Sequence, residues 1–188
     1  MANNRNRKLR DPEALPKSGK RLVLDLERYI PALLVFLSNK FTHGSSTLYR
    51  KHFGVGVIEW RCMALLAIEP WISPNRICQV IGLDKAAVSR GVRILEDQGL
   101  VAVRPNKQRS RFLEIALTEK GATLHDQLVR VSLERERRLI ADLNSEEREI
   151  LIRGLNKMLK RIAFVNGPIE TPPTAKAFER KRKLRECP

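Results

Sequence analysis

The residues best equipped for chemistry lie between positions 85 and 93: Lys85, Ser89, Arg90 and Arg93, with Ala86 and Ala87 among them. Lysine and arginine donate to phosphate and to the O6/N7 edge of guanine. Serine meets a base edge or a phosphate, and an alanine methyl packs on the methyl of thymine. Helical spacing puts Val88, Val92 and Leu95 at i, i+4 and i+7 on an inward face, leaving Lys85, Ala86, Ser89, Arg90 and Arg93 on the other. A helix over residues 85–98 is about 20 Å long and fits the major groove of B-DNA, its N-terminal residues nearest the base edges. A solvated charged face is common on surface helices, so the neighbouring elements decide what this one is for.

Those elements come in a restrictive order. Ser73-Pro74 is an N-cap followed by proline at the first helical position, predicting a short helix over 74–81 that stops at Gly82. Asp84 caps the helix over 85–98, which Gly99 closes. Two capped helices joined by a tight glycine turn form a helix-turn-helix. Beyond Gly99 the pattern turns extended, with strands predicted over 100–104 and 111–117 around a basic loop. This hairpin is a wing. At its tip Lys107, Arg109 and Arg111 can reach phosphate or enter a narrow minor groove. The residues expected to contact double-stranded DNA are therefore Ser73, Lys85, Ala86, Ala87, Ser89, Arg90, Arg93, Lys107, Arg109 and Arg111.

Long helices flank this reading head. Leu22, Leu26, Ile30, Leu33, Leu34, Leu37, Phe41 and Leu48 recur at helical spacing. Pro31 and the stretch 43–46 interrupt them, predicting a kinked helix or two helices in line over 22–52. A helix follows over 57–68, and after the wing Thr118 caps one over 119–143. Asn144-Ser145 caps a last helix reaching about 165. The apolar row Leu139, Leu143, Ile150, Leu151, Leu155, Leu159 and Ile162 needs a partner to bury it, which predicts a homodimer. The expected class is mainly α: a winged helix-turn-helix at about 55–118, with dimerisation helices at about 22–53 and 119–165. A disordered basic arm over 1–21 and a basic tail over 166–188 enclose this domain of 22–165.

The net charge of +15 on 188 residues is spread over all three parts, with +7 left on residues 22–165. A body that stays basic favours a polyanionic partner. No apolar run suits a membrane span, and the start is basic and Asn-rich without an apolar core, so no membrane partner and a cytoplasmic location are expected. Cys62, Cys78 and Cys187 lack metal-ligand spacing, and the first two fall in apolar helical patterns as buried thiols. No metal or cofactor is expected. With three histidines, His43, His52 and His125, and no nucleophile–base pair, Gly-rich phosphate loop or paired carboxylates, no catalytic site is expected either.

In its motifs the chain resembles the MarR-type transcriptional regulators. The residues carrying the resemblance are Ile58-Glu59-Trp60-Arg61, Ile81-Gly82-Leu83-Asp84-Lys85, Val88-Ser89-Arg90, Leu95-Glu96-Asp97-Gln98-Gly99-Leu100-Val101, Leu117-Thr118-Glu119-Lys120-Gly121 and Leu143-Asn144-Ser145-Glu146-Glu147-Arg148. They occur in order over about residues 24–164. The resemblance implies a homodimer with interlocking first and last helices. It also implies a palindromic operator and a repressor released by a small ligand. The wing departs from the pattern: the family's Asp-Arg-Arg triplet aligns with Arg109-Ser110-Arg111, which has no acid. Family effectors are often aromatic acids held between the dimer helices and the winged domain, so Arg61 with His43, Tyr49 and Trp60 forms the candidate ligand set. A non-specific architectural DNA-binding protein is the alternative that the basic tails would suit.

Overall fold

The computed structural model describes residues 17–18, 21–106 and 112–169. Its order is β1 (Lys17–Ser18), β2 (Arg21–Leu22), α1 (Ile30–Phe53), α2 (Val57–Ile68), α3 (Pro74–Ile81), α4 (Lys85–Asp97), β3 (Val101–Pro105), β4 (Leu113–Leu117), α5 (Glu119–Leu139) and α6 (Ser145–Val165). This is the mainly helical winged-helix class that the sequence predicts. The chain forms two compact units, residues 1–133 and 134–188, and the boundary falls within α5.

In the first unit, α1 is a single helix rather than a kinked or divided one. It starts at Ile30, so Pro31 occupies the first turn, where its missing N–H costs no hydrogen bond. The stretch around residue 45 stays helical, its hydroxyls bonding back within the helix rather than offering the backbone an alternative: Ser45 Oγ to the Phe41 carbonyl at 2.8 Å, Thr47 Oγ1 to the His43 carbonyl at 3.2 Å. Upstream, Lys17 pairs with Leu22 and Ser18 with Arg21 in a short antiparallel ladder, where the sequence predicts a disordered arm.

The core is built by α2, α3, α4 and the wing, with Cys62, Met63, Leu66, Ile77, Val88, Leu95, Leu100 and Ile115 buried together. Gly91 and Gly121 permit close approaches between elements. A Cβ at Gly91 would lie 3.0 Å from Ile58 Cγ2, and one at Gly121 would lie 1.9 Å from the Leu100 carbonyl oxygen. Thr118 locks the second contact. Its hydroxyl donates to the Gly99 carbonyl at 2.8 Å and accepts from the Gly121 amide at 3.0 Å.

The wing pairs β3 with β4 from Val101↔Leu117 to Pro105↔Leu113. A bridge between Ile72 and Ile115 adds a short third edge that the sequence does not announce. Just before it, Trp71 adopts φ +59°, a left-handed conformation costing roughly 1–2 kcal/mol for a non-glycine residue.

In the second unit α6 opens with a capping box. Asn144 Oδ1 accepts from the Glu147 amide at 3.0 Å, and the Glu147 carboxylate accepts from the Asn144 amide at 2.8 Å. The preceding helix stops at Leu139, short of the predicted 143, and in the turn that follows Arg148 donates to the carbonyls of Ile140 (3.2 Å) and Leu143 (2.9 Å). Ile150, Leu151, Ile152, Leu159, Ile162, Phe164 and Val165 of α6 stand exposed. In the first unit, Ile30, Leu33, Leu34, Val35, Phe36 and Leu37 of α1 are exposed as well.

Candidate nucleic-acid interface

The helix α4 is fixed at both ends by backbone chemistry. Asp84 Oδ1 accepts the Ala87 amide at 2.8 Å, and Gly99 turns the chain away at φ +67°. Its inner face, Ala87, Val88, Gly91, Val92 and Leu95, is buried against the core. Lys85, Ala86, Ser89, Arg90 and Arg93 all face solvent. Among the described residues none of Lys85, Arg90 and Arg93 has a carboxylate partner, so their charge is free for an external anion. Ala87 corrects the sequence expectation. At 7 % exposure its methyl belongs to the core, and of the two alanines only Ala86 presents a methyl outward.

Ser73 caps α3, its Oγ accepting from the Arg76 amide at 3.2 Å, and it remains partly exposed. The one basic side chain of α3 is already engaged: Arg76 donates to both carboxylate oxygens of Glu69 at 2.8 Å each. That bonding holds the Glu69 carboxyl below its usual range. Lys107, Arg109 and Arg111 lie outside the described residues.

Within the wing stands a group that sequence reasoning missed. The Arg104 guanidinium lies 3.5 Å from the centroid of the Trp71 ring. Both its Nε and Nη2 donate to Glu114 Oε2 at 3.3 Å, and Asn106 donates its amide to Glu114 Oε1. Arg104 and Glu114 are ladder partners, a signal in principle legible from the hairpin register. Nothing in the sequence marks Trp71 as their third member.

The four candidate ligand residues are brought together only in part. The Tyr49 and Trp60 rings meet edge-on at 6.2 Å, and Trp60 stacks on His125 of α5 at 5.5 Å. Tyr49 is buried, with its hydroxyl 2.9 Å from that of Ser132. Arg61 reaches instead to Thr42 Oγ1, at 3.2 Å, and His43 is exposed on α1. A cleft of about 700 Å³ opens elsewhere, between Phe53, Asp97, Gln98, Leu100, Lys120, Thr123, Leu124 and Gln127, with none of the four in its walls.

Cys62 is fully buried, whereas Cys78 is partly exposed, unlike the buried thiol expected. Burial first, then the charge of Glu59 and the neighbouring Cys78, pushes the Cys62 thiol up to about 12. A thiol so protonated is a poor nucleophile. Among the described residues no cluster of three or more His, Cys, Asp or Glu could hold a metal ion, and no helix is long and apolar enough to cross a membrane.

Comparison with known proteins gives this geometry its relatives. The model of the MarR family matches residues 53–111. An uncharacterised HTH-type transcriptional regulator of Bacillus subtilis (strain 168), YdgJ, is 28% identical over 112 residues, which make up 58% of this chain and 66% of that relative, just under two thirds of its length. A crystal structure of a MarR/EmrR family transcriptional regulator from Acinetobacter sp. ADP1 superposes with a TM-score of 0.69 at 33% identity, covering 74% of this chain and 99% of that one. The fold is shared too with a cysteine-to-serine mutant of MarR from E. coli, whose crystal structure is a complex with operator DNA (TM-score 0.62, 21% identity, 69% of this chain and 93% of that one).

Proposed function

Since the chain belongs to the MarR family of DNA-binding transcriptional regulators, we propose that it acts as a homodimeric repressor of a palindromic operator and is released by a small ligand. The observation that carries this reading is the outward row on α4: Lys85, Ala86, Ser89, Arg90 and Arg93, on a helix capped at Asp84, with its cations unpaired among the described residues. Arg90 and Lys85 donate to guanine or phosphate, Ser89 to a base edge or phosphate, and Ala86 meets a thymine methyl. Ser73 adds a hydroxyl at the start of α3. Lys107, Arg109 and Arg111 carry the wing to phosphate or into the minor groove.

The exposed apolar residues support the dimer. Withdrawing a large aliphatic side chain from water stabilises by about 1.5–3 kcal/mol when complete, and α6 alone leaves seven large apolar side chains about half or more exposed. We assign dimerisation to residues 22–53 and 119–165 and DNA reading to about 55–118. Two copies then present two α4 helices to half-sites about one DNA turn apart. For the effector we assign an aromatic acid, its carboxylate on Arg61, which among the described residues bonds to the neutral Thr42 hydroxyl, and its ring against Trp60, with Tyr49 and His43 completing the set.

The testing experiment is to capture fragmented genomic DNA on the full-length protein and sequence what is retained. Enrichment of a two-fold symmetric sequence upstream of genes supports the proposal. Uniform retention of all fragments favours an architectural protein that binds any duplex.

A further inference from the structure

The basic strands of a wing are ordinarily read as a reservoir of phosphate contacts, but Arg104 is not free to serve that way. Its guanidinium lies over Trp71, 3.5 Å from the ring centroid, and two of its nitrogens donate to Glu114. The other oxygen of the same carboxylate accepts from Asn106, the last described residue before the loop. Three pieces of chain therefore meet at Arg104. Trp71 belongs to the connection between α2 and α3, two residues before the cap of the helix-turn-helix. Arg104 belongs to β3, and Glu114 to β4. The Ile72↔Ile115 bridge lies immediately beside them. Glu114 is mostly shielded, its side chain 18% exposed, so the pair is screened less than a surface ion pair. Trp71 holds its ring there from a left-handed backbone, φ +59°, a conformation that packing around it must enforce.

We infer that Glu114 is the positioning residue of the wing: by clamping Arg104 on Trp71 and Asn106 at the end of β3, it fixes the hairpin relative to α3 and α4 and so determines specificity for bases outside those that α4 meets. The inference rests on the reading that this chain recognises DNA through α4 and the wing. Its chemistry is that of a planar fork. A guanidinium can stack on an indole and present two N–H groups to one carboxylate at once, which an ammonium cannot do. Loss of the carboxylate's charge leaves Arg104 with the ring alone and frees it to swing toward any phosphate.

The experiment selects duplexes from a randomised pool at fixed salt, using the full chain as wild type, Glu114→Gln and Arg104→Lys, and compares base preference position by position. Circular dichroism melting of each variant checks that it folds. Wild type should enrich a two-fold symmetric motif with inner and outer positions. Both variants should keep the inner preferences and lose about tenfold in discrimination at the outer ones. Arg104→Lys retains the charge, so a purely electrostatic contribution would leave its profile unchanged, and that result would overturn the inference. A variant that weakens all positions equally would also overturn it. Should Glu114→Gln fail to fold, the Arg104→Lys profile decides alone. A wild-type pool with no enriched motif would overturn the sequence-reading function itself, and this inference with it.

Discussion

Gly91 of α4 sits so close to Ile58 of α2 that a β-carbon placed on it would come within 3.0 Å of Ile58 Cγ2. The position of the reading helix is thus set by a contact that only glycine permits without movement. Gly91→Ala should leave stability nearly unchanged, because alanine's gain of about 1 kcal/mol in helix propensity offsets the crowding. The helix should nevertheless shift by a few tenths of an ångström and lower affinity for a selected duplex several-fold. Thermal melting and DNA titration on the same sample would check this. A parallel fall in both would place the effect in folding instead.

Gly121 makes a harsher demand. A β-carbon there overlaps the Leu100 carbonyl oxygen at 1.9 Å, and the neighbour is backbone held by Thr118, not a side chain that can turn aside. Gly121→Ala should destabilise the fold by about 2–3 kcal/mol, read as a lower midpoint in urea at unchanged slope.

The buried thiol gives a pH dependence with a definite sign. With Cys62 pushed up to about 12 in the folded chain against an ordinary 9.0, the unfolded chain ionises first. This contribution to stability is fully present below pH 9 and is lost as the pH rises toward 12, by at most about 1.4 kcal/mol per unit. Urea titrations of wild type and Cys62→Ala at about pH 8 and about pH 10.5 should show the gap between them narrowing at the higher pH. A constant gap would contradict the assignment.

Arg93 stands two turns into α4, beyond the N-terminal residues nearest the base edges, and its expected partner is a phosphate. Replacing it by alanine should weaken binding to all duplexes alike and lower the magnitude of the slope of log affinity against log salt by about 0.9, the value for one phosphate contact. Titrations across a salt series check both at once.

The features legible in the sequence are those whose cause is local. Ser73-Pro74, Asp84, and Asn144 with Glu147 mark helix starts because a short polar side chain must satisfy orphaned amides a few residues on, and the structure shows those bonds. Pro31 misled for the same reason: proline breaks a helix interior but suits a first turn, and where the first turn lies depends on upstream residues. The end of α5 carries no comparable local mark: the carbonyls beyond it, of Ile140 and Leu143, are met by Arg148 of the next helix. Ala86 and Ala87 differ only by about 100° of helical rotation, so type alone could not assign one to the core. The wing brace was the least legible. Trp71 carries no motif, and its contact with Arg104 exists only once hairpin and helix-turn-helix are docked.

The central claim is that α4 reads base sequence, and Arg90 is the side chain on which it most directly depends. The deciding measurement is a fluorescence-anisotropy titration of wild type and Arg90→Ala against a palindromic duplex selected by the protein and a scrambled duplex of equal length, at one fixed salt concentration. The account predicts that wild type prefers the palindrome strongly and that Arg90→Ala loses about 1–3 kcal/mol of that preference while keeping its affinity for the scrambled duplex within a few-fold. Equal wild-type affinity for the two duplexes would contradict it.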